Sequence, residues 1–590
     1  MIFSKVRTGV EELAKIVKES AKIARRQGLS SLSMLVMEKI RKREFHILGP
    51  SVPDVEYAKW ISRNRLSKND LDEQRLAATK FRYRPLISII TPVWNPPVGY
   101  LQDALHSVLS QTYDNWELCI ADGASNEGVR HFLRDFANVH AKHVKIRFLE
   151  RNLGISENSN NAMEVSRGEF MTFLDHDDLL APEALFEIVD KLNQMPELDI
   201  IYSDTDRVSV KGERTDPLFK PDWSPDLMLS GNYLTHLCLI RSTLAKMLRF
   251  RSETDGAQDW DLFLCATEKT SKIAHIPKIL YHWREAPSSV SLAGFSAKPY
   301  AKNAQLLVVN QYLERHTIHA KARFHRSGCL RLDWNLDERP LISIVLFSLG
   351  ISPWVKRCIR SIVSRSSYRN FELIVVCGRN AVDELENVRL IRSDEPLKYD
   401  SANNFGARHA KGDILVFLDS SIEVISADWL QELAGWALLP SVGAVGAKIL
   451  STDRRIYHGG VILGLPGYLF QGAREGSSPL GHTEWYRDFL AVAGGCLATR
   501  QELFRELGGF ETKIGDEAAD VDFCLRATVS GYRIVYTPHA KLILRDIRKS
   551  TIPTAQLLNV PEYRKIILNG DPYFNPNLSY NSATPLLATS

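Results

Sequence analysis

Asp175 and Asp177 stand two residues apart in Met171-Thr-Phe-Leu-Asp-His-Asp-Asp-Leu-Leu180, just past a short apolar run. A strand that delivers paired carboxylates to its C-terminal end can hold a divalent metal against a diphosphate. Magnesium and manganese take oxygen ligands, usually one or two carboxylates with phosphates and waters. Asp is also common in turns and at helix N-caps, and Pro182 opens a helix soon after, so the pair alone does not fix its chemistry. Three features in chain order add to it. Asp122 ends an apolar run in Ala121-Asp-Gly-Ala-Ser125, where a carboxylate could accept hydrogen bonds from a nucleobase. Asp259, in Gly256-Ala-Gln-Asp-Trp-Asp261, starts a predicted helix, and His282 lies in the strand-like Leu280-Tyr-His-Trp-Arg284. Each has a plain structural alternative: an Asp can simply cap its helix, and a His between Tyr and Trp can be a packed core residue.

These residues need a sheet to position them. Leu86-Ile-Ser-Ile-Ile90 is a buried strand by its continuous apolar run, closed by Thr91-Pro92. A helix is predicted over Leu101–Gln111, a strand over Trp116–Ala121 and a helix over Val129–Ala137. Lys145–Leu149, Asn158–Ser166 and Phe170–Leu174 continue the alternation up to the carboxylates. Strand-helix alternation implies a parallel sheet with right-handed crossovers, and ligands in such sheets bind beyond the carboxyl ends of the strands.

The chain also repeats itself. Arg84-Pro-Leu-Ile-Ser-Ile-Ile90 returns as Arg339-Pro-Leu-Ile-Ser-Ile-Val345, and Asn115-Trp-Glu-Leu118 as Asn370-Phe-Glu-Leu373, at one constant offset. Gly168-Glu-Phe-Met-Thr-Phe-Leu-Asp175 matches Gly412-Asp-Ile-Leu-Val-Phe-Leu-Asp419, and Gln258-Asp-Trp-Asp261 matches Ala519-Asp-Val-Asp522. Two copies of one domain follow, joined near residues 325–338. The expected division is 1–84 for N-terminal helices and connector, 85–330 and 331–550 for the two copies, and 551–590 for a tail.

With these motifs in order, the chain resembles a family 2 glycosyltransferase with the GT-A nucleotide-diphospho-sugar fold. More closely, it is similar to the tandem two-domain enzymes of bacterial O-antigen and cell-surface polysaccharide synthesis. Thr91-Pro-Val-Trp-Asn-Pro-Pro97, Asn152-Leu-Gly-Ile-Ser156, Leu174-Asp-His-Asp-Asp-Leu179 and Tyr202-Ser-Asp204 carry the likeness. So do Phe219-Lys-Pro-Asp-Trp-Ser-Pro-Asp226, Gln258-Asp-Trp-Asp261 and the tail segment Asp571-Pro-Tyr-Phe-Asn-Pro-Asn577. The expected fold is α/β, two tandem Rossmann-like GT-A domains with an N-terminal helical extension. The resemblance implies nucleotide-binding roles for Pro92, Asn95, Asp122, Asn160 and Asp175. It implies a divalent cation, Mn2+ or Mg2+, on Asp175 and Asp177 with His282, and Asp259 as general base. The implied reaction is inverting transfer of a hexosyl or deoxyhexosyl group from a nucleotide-diphospho-sugar to a lipid-linked glycan acceptor.

The second copy keeps the frame and loses acids: Asp122 falls opposite Cys377, Asn95 opposite Gly350, and Asp177 opposite Ser421. Where the first copy has His282, this copy reads Lys541-Leu-Ile-Leu544. Asp520 remains opposite Asp259, and Asp419 with Glu423 could hold a metal in another geometry. The favoured reading is a degenerate second domain that scaffolds or binds acceptor; the alternatives are a bifunctional enzyme and a non-catalytic carbohydrate-binding scaffold. Tyr457-His-Gly-Gly460 and Gly508-Gly-Phe510 fit either an acceptor groove or a folding requirement. A sugar nucleotidyltransferase would want a Gly-rich loop with a Lys after the first strand, where this chain has Pro92–Pro97.

Composition agrees. With 44% hydrophobic and 24% charged residues and a net charge of +4, the chain reads as globular, without the concentrated basic face of a nucleic-acid binder. The eight scattered cysteines suggest neither a disulfide framework nor a cysteine zinc site and point to a reducing cytoplasm. Residues 1–44 read as basic amphipathic helices able to pack on the domain or to touch the cytoplasmic face of an anionic membrane.

Overall fold

The computed structural model of the protein describes residues 52–285, 299–336, 339–350, 352–379, 388–394, 397–493, 495–546 and 552–588. The helices expected within 1–44 lie outside the described residues. Asp54–Ser590 forms one compact unit. Among the described residues no helix is long and apolar enough to cross a membrane.

The connector is helical, α1 (Asp54–Asn64) and α2 (Lys68–Ala78). Ser67 starts α2 with a capping box: its hydroxyl accepts from the Asp70 N–H at 3.2 Å, and Asp70 accepts from the Ser67 N–H at 2.7 Å. Tyr57 of α1 is fully buried and stacks on Trp60, which meets Phe219 edge-on.

The first sheet contains β1 (Ile87–Val93), β2 (Trp116–Asp122), β3 (Val144–Phe148), β4 (Phe170–Phe173), β5 (Leu179–Leu180), β6 (Ile200–Val208), β7 (Arg214–Leu218), β8 (Cys238–Arg241) and β9 (Ile273–Arg284). Its order is β3-β2-β1-β4-β8-β6-β9-β5, with β7 on β6. The four strands from β3 to β4 pair in parallel through crossovers made by α3 (Val98–Leu109), α4 (Glu127–Val139) and α5 (Ile155–Glu164). Helices α6 (Ala184–Gln194), α7 (Ser242–Leu248) and α8 (Gln258–Thr267) follow. Pro92 does not close β1, as the sequence suggests, but lies inside it, opposite Ala121. The β4 pairing stops at Ile90, so beyond it one side of β1 is unpaired and a residue without an N–H is tolerated. The helix predicted from Leu101 begins at Val98 because Pro97, with its fixed φ, sets the N-cap.

A hairpin, β10 (Ala320–Phe324) and β11 (Leu330–Trp334), precedes the second sheet. That sheet contains β12 (Ile342–Phe347), β13 (Phe371–Gly378), β14 (Arg389–Ser393), β15 (Ile414–Asp419), β16 (Ile422–Val424) and β17 (Val442–Leu450). It also takes in β18 (Ile456–His458), β21 (Arg487–Phe489), β22 (Cys496–Arg500) and β23 (Arg533–Leu544); β19 (Ser477–Ser478) and β20 (Gly481–His482) form a separate ribbon. The order β14-β13-β12-β15-β22-β17-β23-β16 reproduces the first sheet strand for strand.

The repeated sequences are scaffold. Ser88 Oγ donates to Glu117 at 2.6 Å and accepts from the Gly168 N–H at 2.9 Å. Ser343, Glu372 and Gly412 repeat this bracket at 2.5 and 2.8 Å. A Cβ on Gly168 would sit 2.5 Å from Ser88 Oγ and 2.7 Å from backbone, and one on Gly412 2.6 Å from the Leu341 carbonyl, so both copies need glycine there. Asn115 ties to the Arg84 carbonyl and Tyr113 to that of Pro85; Asn370 and Tyr368 do the same for Arg339 and Pro340.

The two repeats are locked together by the Phe219–Asp226 segment and by the tail. In Phe219–Asp226, Ser224 donates to buried Asp488 at 2.6 Å, and Arg533 grips Asp226 with two bonds at 2.9 and 3.1 Å. The tail closes the junction. Asn575, 1% exposed, donates to Asp204 and to the Lys220 carbonyl, both at 2.9 Å, while Asp571 accepts from the Leu463 N–H at 3.0 Å.

Candidate active site

The carboxylate run leaves β4 and turns at once into β5, and β9 pairs with β5 in the register Leu180↔Tyr281 and Leu179↔His282. Neighbouring residues of a strand face opposite sides of the sheet. Tyr281 turns toward the carboxylates: its hydroxyl donates to Asp178 at 2.6 Å and accepts from the Asp175 N–H at 3.3 Å. His282 therefore turns away.

The ligating group that forms here is Asp175, Asp178 and His236, with one ligand atom from each lying within 4.8 Å of the others. Of the expected set of Asp175, Asp177 and His282, this group contains Asp175 alone. Asp178 is 1% exposed and oriented through both oxygens, by Tyr281 and by the Arg284 N–H at 2.7 Å. His236 comes from the loop before β8 and stacks on the Tyr281 ring at 4.6 Å. Two carboxylates and an imidazole, steadied by a second layer of donors, fit a divalent cation. Asp177 is half-buried and its carbonyl accepts from Arg284 Nε at 2.6 Å. Burial raises the Asp178 carboxyl well above its ordinary range, and the charges of Asp175 and Asp177 raise it further. Burial likewise lowers the His236 imidazole to about 4, against an opposing pull from Asp259.

His282 instead belongs to a buried network on the other face. Its Nδ1 lies 2.5 Å from Asp206 Oδ1, while Asp206 Oδ2 accepts from Tyr57 at 2.6 Å and from Arg214 Nε at 2.5 Å.

Asp259 is the second residue of α8, where its Oδ1 accepts from the Trp260 N–H at 2.9 Å and Oδ2 from Asn232 at 3.2 Å. Burial raises its carboxyl, His236 opposes the rise and Asp175 adds to it. The expected base and the cation-fitting group are thus in one electrostatic neighbourhood. Lys220, 1% exposed, donates to the carbonyls of Leu234 at 3.3 Å and His236 at 2.9 Å, so Phe219–Asp226 braces the His236 loop from the repeat junction.

The nucleotide-side expectations divide. Pro92 offers its carbonyl to His176 at 3.1 Å, next to the carboxylates. Asn95, at φ +48°, accepts from the Asn126 N–H at 2.7 Å, and its own N–H donates to Ser125 at 2.9 Å. Asp122, fully buried at the end of β2, accepts from the Ser125 N–H at 3.2 Å and pairs with Arg130 at 3.3 Å. These three line the carboxyl ends of β1 and β2. Asn160 plays a different part, since its amide donates to the Phe250 carbonyl at 2.9 Å and accepts from the Phe250 N–H at 3.0 Å. Asn404 and Phe510 form the same two bonds in the second copy, so this clamp belongs to the fold of both repeats.

Several of these participants have little or no signature in the sequence. Asp178 is visible in the motif without a role. His236 carries only the weak signal of a polar residue before an apolar run, Asp206 sits in a polar run, and Lys220 is visible in the Phe219–Asp226 motif without a role.

Among the described residues the second copy has no counterpart of this group. Asp419 accepts from Ser421 through both N–H and hydroxyl, at 2.7 and 2.6 Å. Glu423 does not join it as a metal ligand, because Arg357, Arg365 and Arg545 surround its carboxylate at 2.9, 3.0 and 2.8 Å. Glu423 pairs in register with Ile543, and Ile543 with Leu450 on β17, so two apolar residues stand where the first sheet has His282 and Asp206. Asp520 keeps the helix-start geometry, accepting from the Val521 N–H at 2.8 Å. His458 of Tyr457–Gly460 bridges the Ala447 carbonyl and the Ala493 N–H, which serves folding.

Comparison with known proteins agrees with the repeat. Residues 88–250 and 343–508, together more than half of the chain, each match the Glycosyl transferase family 2 profile. An uncharacterized protein of Sinorhizobium fredii, y4gI, is 35% identical over 84% of this chain and 58% of its own length. The O-antigen biosynthesis protein RfbC of Myxococcus xanthus is 33% identical over 90% of this chain and 43% of its own length. The chain thus spans about half the length of the curated relatives it matches. Among solved structures, residues 1–349 of S. aureus TarS in complex with UDP align at 21% identity over 39% of this chain and 71% of that one, with a TM-score of 0.30. With one family match on each of two sheets of the same strand order, the chain belongs to glycosyl transferase family 2 and carries two tandem domains of the GT-A type.

Proposed function

We propose that the first repeat is the catalytic one, and that it transfers a hexosyl or deoxyhexosyl group from a nucleotide-diphospho-sugar to a hydroxyl of a glycan acceptor with inversion. The observation that carries this reading is the convergence of Asp259 with Asp175, Asp178 and His236 at the carboxyl end of the first sheet. In the second sheet Glu423 is enclosed by arginines and the acid–histidine pair is apolar.

Asp175, Asp178 and His236 would hold a divalent cation, Mn2+ or Mg2+, which when bound supplies positive charge beside a diphosphate leaving group. Asp259 takes the proton from the acceptor hydroxyl as that oxygen bonds to the anomeric carbon. The bond from that carbon to the diphosphate oxygen breaks on the opposite side, which inverts the centre. Burial makes Asp259 a stronger proton acceptor than an exposed carboxylate, as general-base work needs. Asn232 and the Trp260 N–H fix its orientation. Pro92, Asn95 and Asp122 border the nucleotide side, with Asp122 facing the base.

The name of the Myxococcus relative supports a place in surface-polysaccharide assembly, where a lipid-linked acceptor and contact with the cytoplasmic membrane face through residues 1–44 fit. The second repeat then braces the first and borders the acceptor. The test is a nucleotide-sugar screen for nucleoside diphosphate release, with and without manganese, on the wild type, Asp259→Asn and Asp520→Asn. Release that needs Asp259 and survives loss of Asp520 is the expected result. Release that survives Asp259→Asn overturns the assignment.

A further inference from the structure

A second group of ligating side chains is built where the repeats join, and the transfer reaction makes no use of it. His325, in the turn between β10 and β11, meets Glu484 and His539 of the second repeat, with one ligand atom from each lying within 4.8 Å of the others. His539 lies in β23, is 2% exposed, and neither ring nitrogen has a hydrogen-bond partner among the described residues. Its ring packs against Tyr486 at 5.1 Å and His325 at 5.2 Å. A buried polar group without a partner is destabilising, so an orphaned nitrogen in this packed ring offers a place for a ligand.

Glu484, also 2% exposed, is held in place from several sides. Its N–H donates to His482 Nδ1 at 3.1 Å, and Lys448 donates to Oε1. Its Oε2 lies 3.7 Å from His325 Nδ1 and 3.1 Å from Lys541 Nζ. Lys448 and Lys541 both also contact Glu475, which shares the two lysines with Glu484.

We propose that His325, His539 and Glu484 bind a divalent ion of the zinc class, which staples the inter-repeat hairpin to the second sheet. Two imidazoles and one carboxylate suit zinc better than magnesium or calcium, which favour all-oxygen shells. Lys541 is the competitor for Glu484 Oε2, and its side chain, 14% exposed, has a route outward as the ion enters.

The test uses the full chain without a polyhistidine tag, stripped with a chelator and titrated with zinc against a chromophoric competitor. Cobalt(II) absorption is recorded in parallel. The measurements are repeated in an Asp175→Asn background to remove binding at the first-repeat group. The expected result is one zinc per chain that persists with Asp175→Asn, disappears with His325→Ala and with Glu484→Gln, and raises the melting temperature only when His325 is present. Lys541→Met should bind zinc roughly tenfold more tightly, the scale on which outer contacts tune metal sites. The proposal is overturned if micromolar zinc does not bind, if both ligand variants keep the zinc and the cobalt spectrum, or if Lys541→Met leaves the affinity unchanged.

Discussion

His282 lies 2.5 Å from Asp206 on one face of the first sheet, while its neighbour Tyr281 reaches Asp178 on the other. Asp206 is fully buried and also holds Tyr57 and Arg214, so it fastens the N-terminal connector to β6 and β9. Asp206→Ala leaves an arginine and a histidine without their shared partner and should cost about 3–5 kcal/mol of stability. Tyr57→Phe removes a single hydrogen bond and should cost about 1 kcal/mol. Denaturant unfolding of the two variants checks the order.

The two histidines should separate in function. His236→Ala removes a member of the cation-fitting group, and the manganese concentration for half-maximal transfer should rise at least tenfold. His282→Ala should lower the melting temperature with little change in that concentration. A metal titration of activity at fixed donor decides between them.

Removing the base should act on turnover. Asp259→Asn is expected to lower kcat by roughly 10²–10⁴-fold with donor affinity retained. Steady-state kinetics with separate measurement of nucleotide binding checks this.

The second copy should tolerate loss of its remaining acids. Asp419→Asn and Asp520→Asn are expected to leave product size and transfer rate within about twofold of wild type, consistent with sites outside the chemistry. Mass analysis of products with each variant tests it, and a truncated product from either would point to a second active centre.

The tail clamp should respond to pH. Burial pushes the Asp571 carboxyl up to about 7, although it accepts from the Leu463 and Tyr573 N–H groups, both at 3.0 Å. Between the ordinary carboxylate value near 4 and about 7, the folded chain keeps a proton that the unfolded chain has released. Stability is therefore greatest below this window and falls as pH rises through it, by up to about 1.4 kcal/mol per pH unit from this group. Asp571→Asn should flatten that part of the melting-temperature profile, between about pH 4 and 7.

Much of the fold is legible in the chain. Continuous apolar runs and repeated motifs in the same order locate β1, β2, β4 and their second-copy partners, because buried parallel strands write themselves as local patterns. The repeated Ser, Glu, Asn and Gly positions are legible too, since one backbone bracket demands the same residues in both copies. Motif order is also enough to set Asp175 beside a strand end and Asp259 at a helix start. The role of Asn160 is not legible: a polar residue before a carboxylate strand looks like a ligand contact, and only its paired bonds to Phe250 reveal the clamp.

The sequence by itself determined the α/β class, the tandem repeat, and the loss of acids from the second copy, because each is written in residue types along one segment. Tertiary structure alone decided which histidine joins the carboxylates. Strand alternation puts Tyr281 and His282 on opposite faces wherever β9 lies, but the face that meets Asp175 and Asp178 depends on the register with β5 and β6. His236 reaches the site from a separate loop, braced by Lys220, through contacts that no local pattern encodes.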